Sequence, residues 1–211
     1  MPKPIPPFAR DATFEVLCAG YVGDRVASTV SFVEDGKSRI IIDPGMVASP
    51  GRILEPLSRR RIRPQSVTDI VLSHHHPDHT INCALFPNAR IHDVWAEYRD
   101  DLWTSRAAEG YRVAPSVLLL ETPGHTPQDI TTLVGTRGGV AAFTHLWWNS
   151  DGPTPDPLAS DNASLRRERK RVLRIADTIV PGHGAPFRRP GPRRRAAGAR
   201  HRSRQPRTSS E

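Results

Sequence analysis

The stretch LSHHHPDHT, residues 72–80, holds four of the nine histidines in a chain of 211 residues. Where a backbone stays extended, alternate side chains fall on one side, so His74 and His76 project together as a chelating pair. Neutral imidazole is the commonest zinc ligand, and a catalytic zinc takes about three protein ligands and leaves a fourth place to water. Asp78 and His79 follow at once and could hold a second ion. Zinc lowers the pKa of bound water from about 15.7 to about 7, so such a site supplies a nucleophile at neutral pH with no activated serine or cysteine. The chain has no Gly-x-Ser-x-Gly motif and no Gly-rich nucleotide loop to compete for the role.

Two histidines cannot hold a metal unless the fold brings others to them. The sequence predicts strands over TFEVLCAGY, over two segments around Asp35-Gly36, a dipeptide that favours a tight hairpin, and over SVTDIVLS, ARIHDVWA, VLLLETPGH, the two halves of DITTLVGTRGGVAAFTH, and TIVPGHG. It predicts a helix in SPGRILEPLSRRRI, with Pro56 weakening it. A second helix runs through ASLRRERKRVLRIAD, capped by Asp161 or Asn162, with Leu165, Val172, Leu173 and Ala176 facing the core. WNSDGPTPDPLAS, 148–160, reads as a loop. The strands ending at residues 73, 124 and 182 each run into a histidine-bearing turn, which is the main sign that His125 and His183 converge on His74 and His76. His75, His92 and His201 read as ordinary core or surface residues, and Cys83 as a small core residue. Trp147 and Trp148 read either as an aromatic wall over the metals, making them substrate-pocket candidates, or as buried anchors for the following loop.

These segments together resemble the metallo-β-lactamase fold superfamily. HHHPDH at 74–79 fits its His-x-His-x-Asp-His signature, IIIDPG at 40–45 its Asp-containing turn, ETPGHTPQD at 121–129 its third metal histidine and VPGHGAPF at 180–187 its last. They occur in the family's order. The resemblance implies an α/β (α+β) fold, a four-layer αβ/βα sandwich with metals at one sheet edge. It implies Zn2+, one or two ions: His74, His76 and His125 around the first, Asp78, His79 and His183 around the second, and Asp43 behind them orienting the ligands. Asp78 is implied as the catalytic group that orients the attacking hydroxide or accepts its proton.

One position departs from the pattern. Most hydrolases of the superfamily end the strand VAAFTH with an aspartate that bridges the metals, and this chain has His145 there; Asp151 lies in a different register. Two arrangements stay open: a mononuclear or asymmetric centre with His145 as an added ligand, or two zincs joined only by hydroxide, with His145 in the pocket wall. The change weighs against an iron dioxygenase, which would need that carboxylate. The implied activity is hydrolysis of an ester, thioester, lactam or phosphodiester in a small-molecule or RNA substrate, RNA-processing endonuclease action included. The competing reading is a catalytically impaired metal-binding domain that contacts nucleic acid through its Arg-rich tail.

The net charge of +8 is confined to that tail: residues 188–211 hold nine arginines and one glutamate, leaving 21 basic and 21 acidic side chains in the rest. The expected organisation is a Pro-rich leader at 1–13, a domain at 14–187 and a basic disordered tail at 188–211, too poor in apolar residues to offset its ordering entropy. The N-terminus lacks the apolar run of an export signal, and no segment is apolar enough to span a bilayer. With Cys18 and Cys83 forming no framework, a cytoplasmic protein without a membrane partner is expected.

Overall fold

The computed structural model describes residues 5–189. Two mixed sheets lie face to face. The first runs β1 (Thr13–Cys18), β2 (Val30–Asp35), β3 (Ser38–Ile42), β4 (Asp69–Val71), β5 (Arg90–His92), β6 (Ala96–Arg99) and β7 (Leu102–Ser105) in spatial order. Its outer pairs are antiparallel, whereas β3, β4 and β5 are parallel. The second sheet comprises β8 (Arg112–Ala114), β9 (Val117–Glu121), β10 (Ile130–Thr136), β11 (Gly139–Thr144), β12 (Thr178–Pro181) and β13 (Phe187–Arg188), in the order β13-β12-β11-β10-β9-β8. Only β11 and β12 pair in parallel there.

Strand alternation builds the layers. Val33, Ile40 and Ile42 face inward against Leu119, Val134 and Phe143 of the second sheet. Their neighbours Phe32 and Ile41 face outward, onto Ile53 and Leu57 of helix α1 (Gly51–Arg59). On the other side Leu118, Leu120 and Leu133 meet Leu165 and Val172 of helix α3 (Asn162–Val172). Because every central strand is covered on both faces, its apolar residues form runs such as Ile40-Ile41-Ile42 and Leu118-Leu119-Leu120 rather than a polar alternation. The expected four-layer αβ/βα sandwich is what forms.

The expected hairpin around Asp35-Gly36 closes with Asp35 opposite Ser38 and Gly36 at φ +61°. Asp161 caps α3, its carboxylate accepting from the amides of Ala163 and Ser164. Pro56 sits inside α1 without ending it, its ring buried on the core side. The single strand expected over ARIHDVWA is two. Asp93 Oδ1 accepts from the amides of Trp95 and Ala96, which turns the chain between β5 and β6. The strands β7 and β8 are additions, polar or short enough to carry no apolar run. α3 ends at Val172, and Leu173 is half-buried while Ala176 is fully buried.

Residues 5–12 lie along the second sheet, with Ala9 N–H donating to Pro115 O and Ala12 N–H to Gly135 O. The basic tail lies outside the described residues from position 190 onward, as does His201. Among the described residues no helix is long and apolar enough to cross a membrane.

Candidate metal centre

The carboxyl ends of β3, β4, β9, β11 and β12 come to one edge of the sandwich, and each hands over a polar side chain: Asp43, the 74–79 segment, His125, His145 and His183. After β4 the chain bends at Ser73 and His74, and His76, in extended conformation, takes the N-cap position of the one-turn helix α2 (Pro77–Thr80) carrying Asp78 and His79. Gly45 permits this loop to pack, because a Cβ there would stand 1.7 Å from the carbonyl oxygen of Asp78.

His74, His76 and His125 offer three ring nitrogens to one point. His74 Nε2 lies 3.0 Å from His76 Nδ1, which lies 3.2 Å from His125 Nε2. A tetrahedral zinc with bonds of about 2.0–2.1 Å separates its nitrogens by about 3.3 Å, so the spacing is close to that of one coordination shell. Asp78, His79 and His183 form a second trio, and His74, His79 and His145 a third, each with its ligand atoms within 4.8 Å of one another. The two ligand sets expected from sequence are thus assembled side by side.

The outward faces of the rings fix their tautomers. His79 Nδ1 is 2.9 Å from Asp43 Oδ2, His125 Nδ1 is 2.9 Å from Asp156 Oδ2, and His183 Nδ1 is 2.9 Å from the carbonyl oxygen of Ala27. Carboxylate and carbonyl oxygens only accept, so each Nδ1 carries the hydrogen and each neutral ring turns an Nε2 lone pair inward. His79 Nε2 and His183 Nε2 then face the carboxylate of Asp78 at 3.4 and 3.5 Å. At 3.4 Å the first contact is not in hydrogen-bond geometry, and His79 Nε2 is a buried atom without a partner. Lone pairs aimed at a carboxylate in a buried site repel unless a cation stands between them. The donor set, all imidazole and carboxylate, fits a zinc-type ion.

A proton partly fills that role in the free protein. Burial disfavours charge on His79, but the carboxylates of Asp43 and Asp78 outweigh it and raise its pKa to about 9. Burial likewise opposes ionisation of Asp78, yet His79 and His183 bring its pKa down to about 2. His74 and His145 are held well below the ordinary histidine value, by burial first and by the surrounding imidazoles second. His76 is lowered by burial and His125.

Asp43 stands behind the centre as expected: Oδ1 accepts from the Ser73 amide at 2.7 Å while Oδ2 holds His79. Its φ of +52° is a left-handed conformation that aspartate tolerates, and it aims the carboxylate under the 74–79 loop. His145 is buried among the other rings, its centroid 4.2 Å from that of His125, 4.6 Å from His74 and 4.9 Å from His79. Its Nε2 is 3.0 Å from His183 Nε2, and its buried Nδ1 has no partner. It therefore occupies the space between the two trios.

The two tryptophans part company. Trp147 is not in the pocket, correcting the expectation that paired it with Trp148. It is buried beside Leu165 and Val172, edge-on to Phe187 and under the Arg169 guanidinium. Trp148 does line the pocket, together with Asp78, His76, His125, His145 and His183, around a volume of about 410 Å³.

Asp156 was not anticipated. It lies within the 148–160 segment, fully buried, and one oxygen, Oδ2, receives both His125 Nδ1–H and Trp148 Nε1–H, the latter at 3.0 Å. Its Oδ1 accepts from the Leu158 amide at 2.9 Å. The only local signal was an aspartate in a proline-rich loop, which gives no hint of a partner 31 residues away. Of the histidines read as ordinary, the two described ones bond away from the centre: His75 Nε2 pairs with Asp93 and His92 Nε2 with Asp69, while the buried His92 Nδ1 has no partner.

The sequence profile of the metallo-beta-lactamase superfamily matches residues 23–189. Among curated proteins, metallo-beta-lactamase domain-containing protein 1 of Xenopus laevis is 34% identical over 188 residues, 82% of this chain and 80% of its own. A Thermotoga maritima protein provisionally described as a metallo-beta-lactamase superposes with a TM-score of 0.69 at 24% identity, covering 85% of this chain and all of that one. A quorum-quenching N-acyl homoserine lactone lactonase superposes with a TM-score of 0.60 at 19% identity, over 83% of this chain and 92% of that one, a likeness of fold alone.

Proposed function

Because the chain belongs to the metallo-beta-lactamase superfamily, we propose that it is a zinc-dependent hydrolase that cleaves its substrate with water. His74 Nε2, His76 Nδ1 and His125 Nε2 would hold the first ion, and Asp78, His79 and His183 the second, with His145 between them. An ion so held supplies Lewis acidity, polarising the bond to be cleaved and making water acidic enough to ionise near pH 7.

The remaining roles belong to the chain's own groups. Asp43, Asp156 and the Ala27 carbonyl hold the Nδ1 hydrogens of His79, His125 and His183, so each Nε2 stays available and its ring does not turn. Asp78 is the only carboxylate that lines the pocket among the described residues, and it is ionised throughout the physiological range. It is the group that accepts a proton from water and returns it to the departing group. His145, held neutral by burial, adds no charge to the pocket wall. Trp148 closes one side and limits solvent.

The observation that carries this reading is the set of three outward-donating histidines, of which His79 and His183 turn their inward nitrogens to the carboxylate of Asp78 and His125 turns its own to His76. The experiment is metal analysis of the purified chain, with parallel assays on ester, thioester, lactam and phosphodiester substrates, beside His76→Ala. Metal-dependent turnover that falls at least about a hundredfold in His76→Ala is the expected result, and undiminished turnover in that variant overturns the reading.

A further inference from the structure

The polar floor of the pocket contrasts with its walls. Around the histidines and Asp78, the sides and mouth are Val22, Val26, Met46, Leu158 and Trp148. Three of these are large apolar side chains left substantially exposed, Leu158 at 67% and Val22 and Met46 at 40% each. Exposed apolar side chains scattered singly need no explanation, but a set converging on one opening marks a binding wall. Val26 and Met46 also belong to an adjoining groove of about 380 Å³ where Tyr21, Val47 and Ala48 continue the apolar side and Asp24 and Arg25 form a polar one. No lysine or arginine lines the metal pocket among the described residues. Apart from any ion held by the histidines, a phosphodiester would find no cationic side chain there, whereas phosphate is commonly oriented by arginine or lysine.

We propose that the substrate class of this site is an uncharged carboxylic ester whose acyl part is an aliphatic chain, seated along Val22, Val26, Met46 and Leu158 with its carbonyl at the histidines. This rests on the hydrolase reading above. Trp148 flanks the carbonyl, and the chain runs toward the adjoining groove. In the reaction the oxygen of water bonds to the acyl carbon and the bond from that carbon to the ester oxygen breaks. One water proton ends on the departing alcohol, and the carboxylic acid formed releases the other at neutral pH.

The experiment uses the full chain loaded with zinc. kcat/KM is measured for the p-nitrophenyl esters of acetate, butyrate and hexanoate, beside bis(p-nitrophenyl) phosphate and a short oligoribonucleotide. Each methylene that leaves water adds at most about fourfold, so hexanoate is expected to exceed acetate by tenfold or more. Leu158→Asp, a change at an exposed position, is expected to cut the hexanoate-to-acetate ratio at least fivefold, whereas Leu102→Asp, exposed on β7 away from the pocket, leaves the ratio alone. A flat or falling chain-length profile overturns the proposal. So does turnover of the phosphodiester or the RNA without the esters, which would leave the hydrolase reading standing. If the zinc-loaded chain turns over nothing, the hydrolase reading fails and the apolar seat is judged by binding. Saturable quenching of tryptophan fluorescence by decanoate that Leu158→Asp weakens supports the seat, and its absence overturns it.

Discussion

Replacing Asp156 tests whether a buried carboxylate outside the ligand set governs metal binding. One of its oxygens takes hydrogens from both His125 and Trp148, and the other takes the Leu158 amide, all inside a fully buried side chain. Asp156→Ala strands one buried donor, on His125, at about 1–3 kcal/mol and two part-buried ones, on Trp148 and Leu158, and leaves a void, so a large stability loss would mask any effect on the metal. Asp156→Asn keeps the volume and one acceptor oxygen but removes the charge that holds His125 in its tautomer. Changes of this kind behind a ligand cost about 10- to 100-fold in metal affinity, roughly 1.4–2.7 kcal/mol. The assay is zinc titration in competition with a chromophoric chelator, on protein whose thermal melt shows it folded. Trp148→Phe separates the two functions of the carboxylate, since it removes the second donor while His125 keeps its partner, and its zinc affinity should stay within about threefold of the parent's. A folded Asp156→Asn variant that binds zinc as tightly as the parent would refute the assignment of Asp156 as the group that orients His125.

Other outcomes follow from the same geometry. Removing metal with a chelator should lower the melting temperature by roughly 5–10 °C when zinc had stood at about a hundred times its dissociation constant, a loss of about 2.7 kcal/mol, as read by calorimetry with and without EDTA. Gly45→Ala sets a methyl against the Asp78 carbonyl, and a loss of at least about 2 kcal/mol in urea unfolding is expected, together with weaker zinc binding. Asp129 is a buried carboxylic acid whose pKa burial raises from 3.8 to about 6, against the pull of its Thr126 hydrogen bonds. A raised acid stabilises the fold below its unfolded value and loses that contribution as pH rises through the folded one. In the metal-free protein, therefore, the parent should lose on the order of 2 kcal/mol between about pH 4 and pH 6 relative to Asp129→Asn, measured as the difference between the two pH–stability curves.

The ligand inventory was legible because its chemistry is local. His74, His76, Asp78 and His79 fall within six consecutive positions, and a bend followed by one helical turn keeps all four at one place in the fold. The layers were legible for a similar reason, since Ile40-Ile41-Ile42 and Leu118-Leu119-Leu120 are too apolar to face water on either side. β7 and β8, and the turn at Asp93, were not, because β8 has only three residues and β7 exposes all four of its own, apolar Leu102 and Trp103 included, so neither shows a buried–exposed alternation.

What tertiary structure alone decided is how distant groups meet. Asp156 reaches His125 across 31 residues, a partnership that no spacing encodes. Trp147 and Trp148 are neighbours of identical type, yet one packs under Arg169 against the helical layer and the other faces the metals, because the end of β11 lies between that layer and the pocket. His145 differs from the expected aspartate by one residue type, but its burial among four other imidazoles depends on the loops that carry them from β4, β9 and β12. Side-chain chemistry is written residue by residue. The field acting on each side chain is set by which strand ends the two sheets bring to a common edge, and that follows from packing the whole chain.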